Sequence, residues 1–126
     1  MHDRALLEVR AGRKTSHWMW FVYPQLGGLG RSEVSRFYGI ESLDEARAYL
    51  AHPVLGPRLR EAAAAALAAP GGLTAEAIFG PIDAMKLRSS MTLFQAAARE
   101  EPVFGLVLER FCAGQPDQAT LRLLDA

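Results

Sequence analysis

Between Glu8 and Glu33 the chain has no acidic side chain, yet it carries Arg10, Arg13, Lys14 and Arg31 together with His17 and the aromatic residues Trp18, Trp20, Phe21 and Tyr23. Gly27-Gly28-Leu29-Gly30 follows Pro24 and Gln25, so main-chain amides at Gly28 and Gly30 can approach another group closely. Such amides, the positive end of a helix capped by Ser32 and a few basic side chains are what an anionic group needs. The rings of Trp18 or Trp20 could stack on a base or another flat ring. The glycine string lacks the Walker spacing with its Lys-Ser/Thr ending, and no strand precedes it as in a dinucleotide fold. The same aromatic residues, taken alone, read more readily as core filling around tight glycine turns.

A second chemical stretch is Asp83-Ala-Met-Lys86-Leu-Arg-Ser89-Ser90-Met-Thr92-Leu-Phe94. As one helix advancing about 100° per residue, it sets Asp83, Lys86, Leu87, Ser90 and Phe94 on one sector. One reading is an ion pair between Asp83 and Lys86 at the edge of the core, with Ser90 bonded to a carbonyl one turn earlier. The other is a cleft wall on which Lys86 holds an anion and Asp83 orients that lysine or a histidine from another segment. For an enzyme, His17 would act as acid or base with Asp83 as its orienter, and Ser90 or Thr92 would position substrate. His52, in an interhelical turn before Pro53, is a second imidazole that could act as a general base. No His-Glu-x-x-His or paired-ligand spacing occurs, so neither a metal site nor a cofactor is expected. Cys112 reads as a small buried hydrophobe, and Ser89-Ser90 lacks the Gly-x-Ser-x-Gly elbow of hydrolases.

The elements that must carry these residues are helices. Apolar positions recur at spacings of three and four, and no alternating strand is found. The first helix spans about Asp3 to Ala11, with Leu6, Leu7 and Arg10 over adjacent turns, and meets Gly12. A helix from Ser32 through Val34 and Phe37 ends at Gly39. Ser42-Leu-Asp-Glu45 is a capping box for a helix from Leu43 to Ala51. An alanine-rich helix with Pro53 or Pro57 in its first turn stops before Pro70-Gly71-Gly72. Thr74 caps a short turn ending at Gly80, and Pro81 opens the helix of Leu87, Met91, Phe94 and Ala98. The last two run from Pro102 to Ala113, burying Val103, Leu106, Val107 and Phe111, and from Asp117 through Leu121 and Leu124. The expected fold is all-α: a single multi-helix domain over residues 1–126, with about six or seven helices and one irregular segment rich in glycine and aromatic residues.

Hydrophobic residues make up 50% of the 126 and charged residues 22%, a globular balance. Fourteen basic side chains cancel fourteen acidic ones, which argues against long duplex nucleic acid or an anionic membrane as a partner. One cysteine allows no internal disulfide, no apolar run spans a bilayer and the start lacks a signal-peptide core, so a cytoplasmic location is expected.

The strings Arg10-Ala-Gly-Arg-Lys14, Ser16-His-Trp-Met-Trp-Phe21, Pro24-Gln-Leu-Gly-Gly-Leu-Gly-Arg-Ser32, Tyr38-Gly-Ile40, Tyr49-Leu-Ala-His-Pro-Val-Leu-Gly56, Ile78-Phe-Gly80 and Lys86-Leu-Arg-Ser-Ser-Met-Thr-Leu-Phe94 together resemble a bacterial family, domain of unknown function number eighteen-ten, whose members are sometimes labelled calpastatin. The resemblance runs from about Ala5 to Leu124. It implies an all-α domain and no established activity. It also implies a further amphipathic helix before the segment that starts here at His2. His17, Trp18, Trp20, Pro24, Gln25, Arg31, Ser32, His52, Lys86, Ser89, Ser90 and Thr92 are its motif positions.

Taken together, these features describe a domain with a cleft between residues 13–32 and 83–92 that takes a small anionic or nucleotide-like ligand, such as an ADP-ribose-like or other phosphorylated metabolite. Arg13, Lys14, Arg31 and Lys86 would supply charge, Gly28 and Gly30 amides, and Trp18 or Trp20 a stacking face. The alternatives are a helical interaction module for a protein partner or a second copy of itself, without catalytic activity, and a binder of short single-stranded RNA.

Overall fold

Prolines and small polar side chains decide where most of the helices begin. The structure, a computed structural model, describes residues 2–27 and 39–125, apart from the side chain of Trp20. The helices are α1 (His2–Arg10), α2 (Met19–Val22), α3 (Leu43–Ala51), α4 (Leu55–Ala68), α5 (Ala75–Phe79), α6 (Pro81–Ala97), α7 (Pro102–Cys112) and α8 (Gln118–Asp125). Among the described residues the β-type pairing is an isolated parallel bridge between Leu26 and Ile40. The expected helix from Ser32 to Gly39 lies, but for Gly39 itself, outside the described residues.

The caps follow the sequence closely. Thr74 Oγ1 accepts from the Ala77 amide at 3.1 Å, Asp117 Oδ2 accepts from the Thr120 amide at 3.0 Å, and Pro81 and Pro102 each open a helix. Ser42 Oγ accepts from the Glu45 amide at 3.1 Å, but the return arm differs from a regular capping box. With Ser42 extended at φ −154°, the amide that meets the Glu45 carboxylate is that of Glu41, at 2.9 Å. Gly12 closes α1 at φ +81°, a conformation that costs glycine nothing sterically.

Two helices organise the packing. α4 touches α1, α2, α3 and α7, while α6 touches α3, α5, α7 and α8. Buried Ala62, Ala63, Ala65 and Ala66 let neighbours approach α4 closely, and Tyr23 hydroxyl donates to the Ala62 carbonyl at 2.7 Å. Around α6 the core stacks Tyr49, Phe94 and Phe104, with successive ring centroids 5.7 and 5.8 Å apart. Leu106, expected inside, faces solvent, as does Leu7. The buried stripes are instead Ala5, Leu6 and Val9 on α1 and Phe104, Val107 and Leu108 on α7. In α7 the stripe is rotated by about one residue, because the helix packs against both α4 and α6.

Two close approaches give testable consequences. A Cβ on Gly56 would run into the Leu50 carbonyl oxygen, which belongs to the backbone and cannot swing aside. Gly56→Ala is expected to lose about 1–3 kcal/mol in urea unfolding; an unchanged midpoint would mean the α3–α4 turn yields freely. Past the end of α4, the Arg110 guanidinium donates to the carbonyls of Ala66, Leu67, Ala69 and Pro70 at 3.0, 2.6, 2.8 and 2.9 Å. It satisfies the acceptors that a helix end leaves open. Arg110→Met should cost about 2–3 kcal/mol, and Arg110→Lys should recover only part of that because an ammonium lacks the planar fork.

Candidate functional site

The loop after α1 is held from the inside by one carboxylate. Glu8 Oε1 accepts from the Thr15 amide (2.7 Å), the Ser16 amide (3.0 Å) and Trp18 Nε1 (3.0 Å), while Oε2 accepts from Ser16 Oγ (2.8 Å) and faces Arg4 Nε at 3.3 Å. Desolvation pushes this carboxyl up, but the bonds from Thr15, Ser16 and Trp18 together outweigh it and hold the group down at about 2.

That fixed loop turns Lys14 inward. Its amide donates to the Ile78 carbonyl at 2.7 Å, joining the loop to α5. Its ammonium, on a side chain 8% exposed, lies 2.8 Å from Asp83 Oδ2, donates to the Ser16 carbonyl at 2.7 Å and sits 4.9 Å from the centroid of the Trp18 ring. A carboxylate, a carbonyl and an aromatic face together offset the desolvation of the cation. Asp83 Oδ1 lies 3.5 Å from Lys86 Nζ on the same helix. The Asp83 carboxylate therefore takes one lysine from each of the two chemical stretches of the sequence.

The remaining candidates are distributed unevenly around this cluster. Arg13 and His17 are exposed, and their side chains make no hydrogen bond or ion pair with a described residue; Asp83 takes lysines rather than the expected imidazole. Trp18 is 1% exposed, with Tyr23 and Phe79 at ring distances of 6.2 and 6.4 Å and Lys14 over its face, so this ring has no free face for a ligand. Ser89 Oγ donates to the Met85 carbonyl at 3.1 Å and Thr92 Oγ1 to the Arg88 carbonyl at 2.8 Å. Thr92 also accepts from the Asp117 amide at 2.8 Å, so its hydroxyl ties α6 to the start of α8 rather than meeting a substrate. Ser90 is fully buried and its Oγ has no partner among the described residues, in contrast to the expected bond one turn back; Gln25 Nε2 is likewise buried without one there. His52 serves a different end of the molecule, its Nδ1 accepting from the Val54 and Leu55 amides at 3.1 Å each in the turn that joins α3 to α4. Gly28, Gly30, Arg31 and Ser32 lie outside the described residues.

Glu8 was not among the expected site residues. In the sequence it marks only the edge of an acid-free stretch, and two of its partners are main-chain amides, which leave no mark in residue types. Elsewhere, a cavity of about 720 Å³ lies between α3, the α6–α7 junction and α8. Two of its cations are committed: Arg60 forks onto Glu101 at 2.8–3.2 Å and Arg47 bonds the Ala97 carbonyl at 3.3 Å. Cys112 is half-buried and burial pushes its thiol up, away from nucleophilic character. Among the described residues no group of three His, Cys, Asp or Glu side chains gathers as a metal would need, and no helix is long and apolar enough to cross a membrane.

Fold and cluster define a single all-α domain whose first loop is pinned to the start of a long central helix by an inward-turned lysine paired with a partly exposed aspartate. The chain belongs to the family described as Protein of unknown function (DUF1810), which matches residues 1–124. It is similar to the conserved hypothetical protein Rv1873 from Mycobacterium tuberculosis. The crystal structure of that protein at 1.38 Å matches with a TM-score of 0.94 and 48% identity, over 98% of this chain and 88% of that one. No curated protein matches. The resemblance drawn from the motifs and the all-α fold it implies are thereby both shown.

Proposed function

We propose that the chain binds a small phosphate-bearing ligand, nucleotide-like in class, where the loop of Arg13 to His17 meets the first turns of α6. The observation that carries this reading is the shared Asp83 carboxylate, which draws Lys14 and Lys86 to one place. Two ammonium groups set a positive field around that carboxylate among the described residues. Arg13 and His17, exposed on the same short loop as Lys14, add to that field, as does the N-terminal end of the 17-residue α6. Lys14 and Asp83 form the fixed base, and Lys86, Arg13 and His17 are the groups that meet the anion. In a catalytic version of the same site, His17 is the acid or base.

Thermal unfolding with ADP-ribose, AMP, ribose phosphate and inorganic phosphate tests the proposal. A ligand at about 100 times its dissociation constant adds about 2.7 kcal/mol of stability. The Lys86→Gln and Arg13→Gln variants should lose that gain while unfolding like the parent protein without ligand. A gain that survives both substitutions, or none with any compound, rejects the site. The second outcome favours an interaction module instead. The observation on its side is that Ile82 and Met85, beside Asp83 and Lys86, are each 70% exposed.

A further inference from the structure

A separate cavity of about 350 Å³ opens where α1, α2, α3 and α4 meet. It shares no residue with the Lys14–Asp83 cluster. Val22 and Leu59, both buried, and Leu55, 36% exposed, give it apolar walls. Three polar side chains line the same space, and each keeps hydrogen-bonding capacity unused among the described residues. The Arg58 guanidinium is exposed and has no ion-pair partner there, and the Tyr49 hydroxyl makes no hydrogen bond there. His2 Nε2 is buried without a hydrogen bond, its nearest acid being Glu61 Oε2 at 3.5 Å. Burial raises the Tyr49 phenol, so it remains a protonated donor at neutral pH.

We infer that this cavity binds a small carboxylate with an apolar body, an arylalkanoic or medium-chain acid. The size falls within the range of small-molecule pockets, about 300–1,000 Å³. Apolar walls favour a hydrocarbon body and disfavour a polyanion, for which a single unpaired guanidinium is too little charge. The guanidinium fork matches one carboxylate, and the Tyr49 hydroxyl adds a neutral donor to it. Binding would transfer the hydrocarbon from water to Val22, Leu55 and Leu59 while the head group stays at the rim beside Arg58.

Calorimetric titration of the full chain with octanoate and phenylpropionate, and with the corresponding amides, tests this. The acids should saturate, and the amides, equal in shape but uncharged, should bind at least about tenfold more weakly. Arg58→Gln, at an exposed position, should weaken the acids to the level of the amides and leave the amides unchanged. Lys86→Gln should leave both unchanged, which separates this cavity from the anion site. Acid and amide binding equally, no saturation with either acid, a preference that survives Arg58→Gln, or a preference lost on Lys86→Gln would each overturn the assignment.

Discussion

Asp83→Asn is expected to lower stability by about 3–5 kcal/mol, the cost of leaving a buried charge without its counter-ion. The charge is the Lys14 ammonium, on a side chain 8% exposed, 2.8 Å from the carboxylate and otherwise held, among the described residues, by the Ser16 carbonyl and the Trp18 face. An asparagine oxygen still accepts a hydrogen bond but supplies no compensating charge. Lys14→Met alone should cost less, because Asp83 is 20% exposed and keeps Lys86 at 3.5 Å. The double variant should be markedly more stable than Asp83→Asn alone, since an apolar side chain beside Trp18 replaces the stranded ammonium. Urea unfolding of the parent, both single variants and the double variant closes the cycle. A loss below about 1 kcal/mol for Asp83→Asn would mean the lysine swings out to water, and the cluster would then be a surface pair. The cycle also separates scaffold from ligand contacts: Lys14 and Asp83 carry stability, whereas Lys86 and Arg13 should change binding with little effect on unfolding.

The parts of this molecule legible in its sequence are those decided within a few residues. Caps at Ser42, Thr74 and Asp117, helix starts at Pro81 and Pro102, and the stop at Gly12 depend on local geometry, and each falls at its expected position. Which face of a helix is buried depends on neighbours far along the chain, and there Leu106 misleads. The same division runs through the site. Asp83 and Lys86, three residues apart on one helix, could be paired from spacing alone. Their meeting with Lys14 needs α5 to bind the loop through the Ile78 carbonyl, a contact between distant residues with no motif to announce it. Trp18 shows why residue type is an ambiguous signal. An indole beside basic residues suits a stacking platform or a core, and the Glu8 acceptor for its Nε1 settles it as core.

Glu8 also makes the acid stability of the fold predictable. Its side chain is 10% exposed and receives hydrogen bonds from Thr15, Ser16 and Trp18, so Glu8→Ala strands several donors at once and should cost about 3–5 kcal/mol near neutral pH. The pH dependence follows from the sign of the shift. The carboxyl titrates at about 2 when folded and at 4.5 when free, so the unfolded chain takes up the proton first as pH falls. The stabilisation from the ionised group is therefore complete above 4.5 and is lost progressively as pH falls to about 2. Glu8→Gln, which cannot ionise, should be less stable than the parent by a constant amount above 4.5, and the gap should close as pH approaches about 2. Urea midpoints of the two proteins across that interval measure it. A gap that persists undiminished at the acid end would show that the amide fails through shape and donor mismatch rather than through lost charge. The loop that presents Lys14 to Asp83 would then not depend on ionisation of Glu8. If the gap closes as expected, acid should release the loop and Lys14 together, because Thr15, Ser16 and Trp18 all lie within four residues of that lysine.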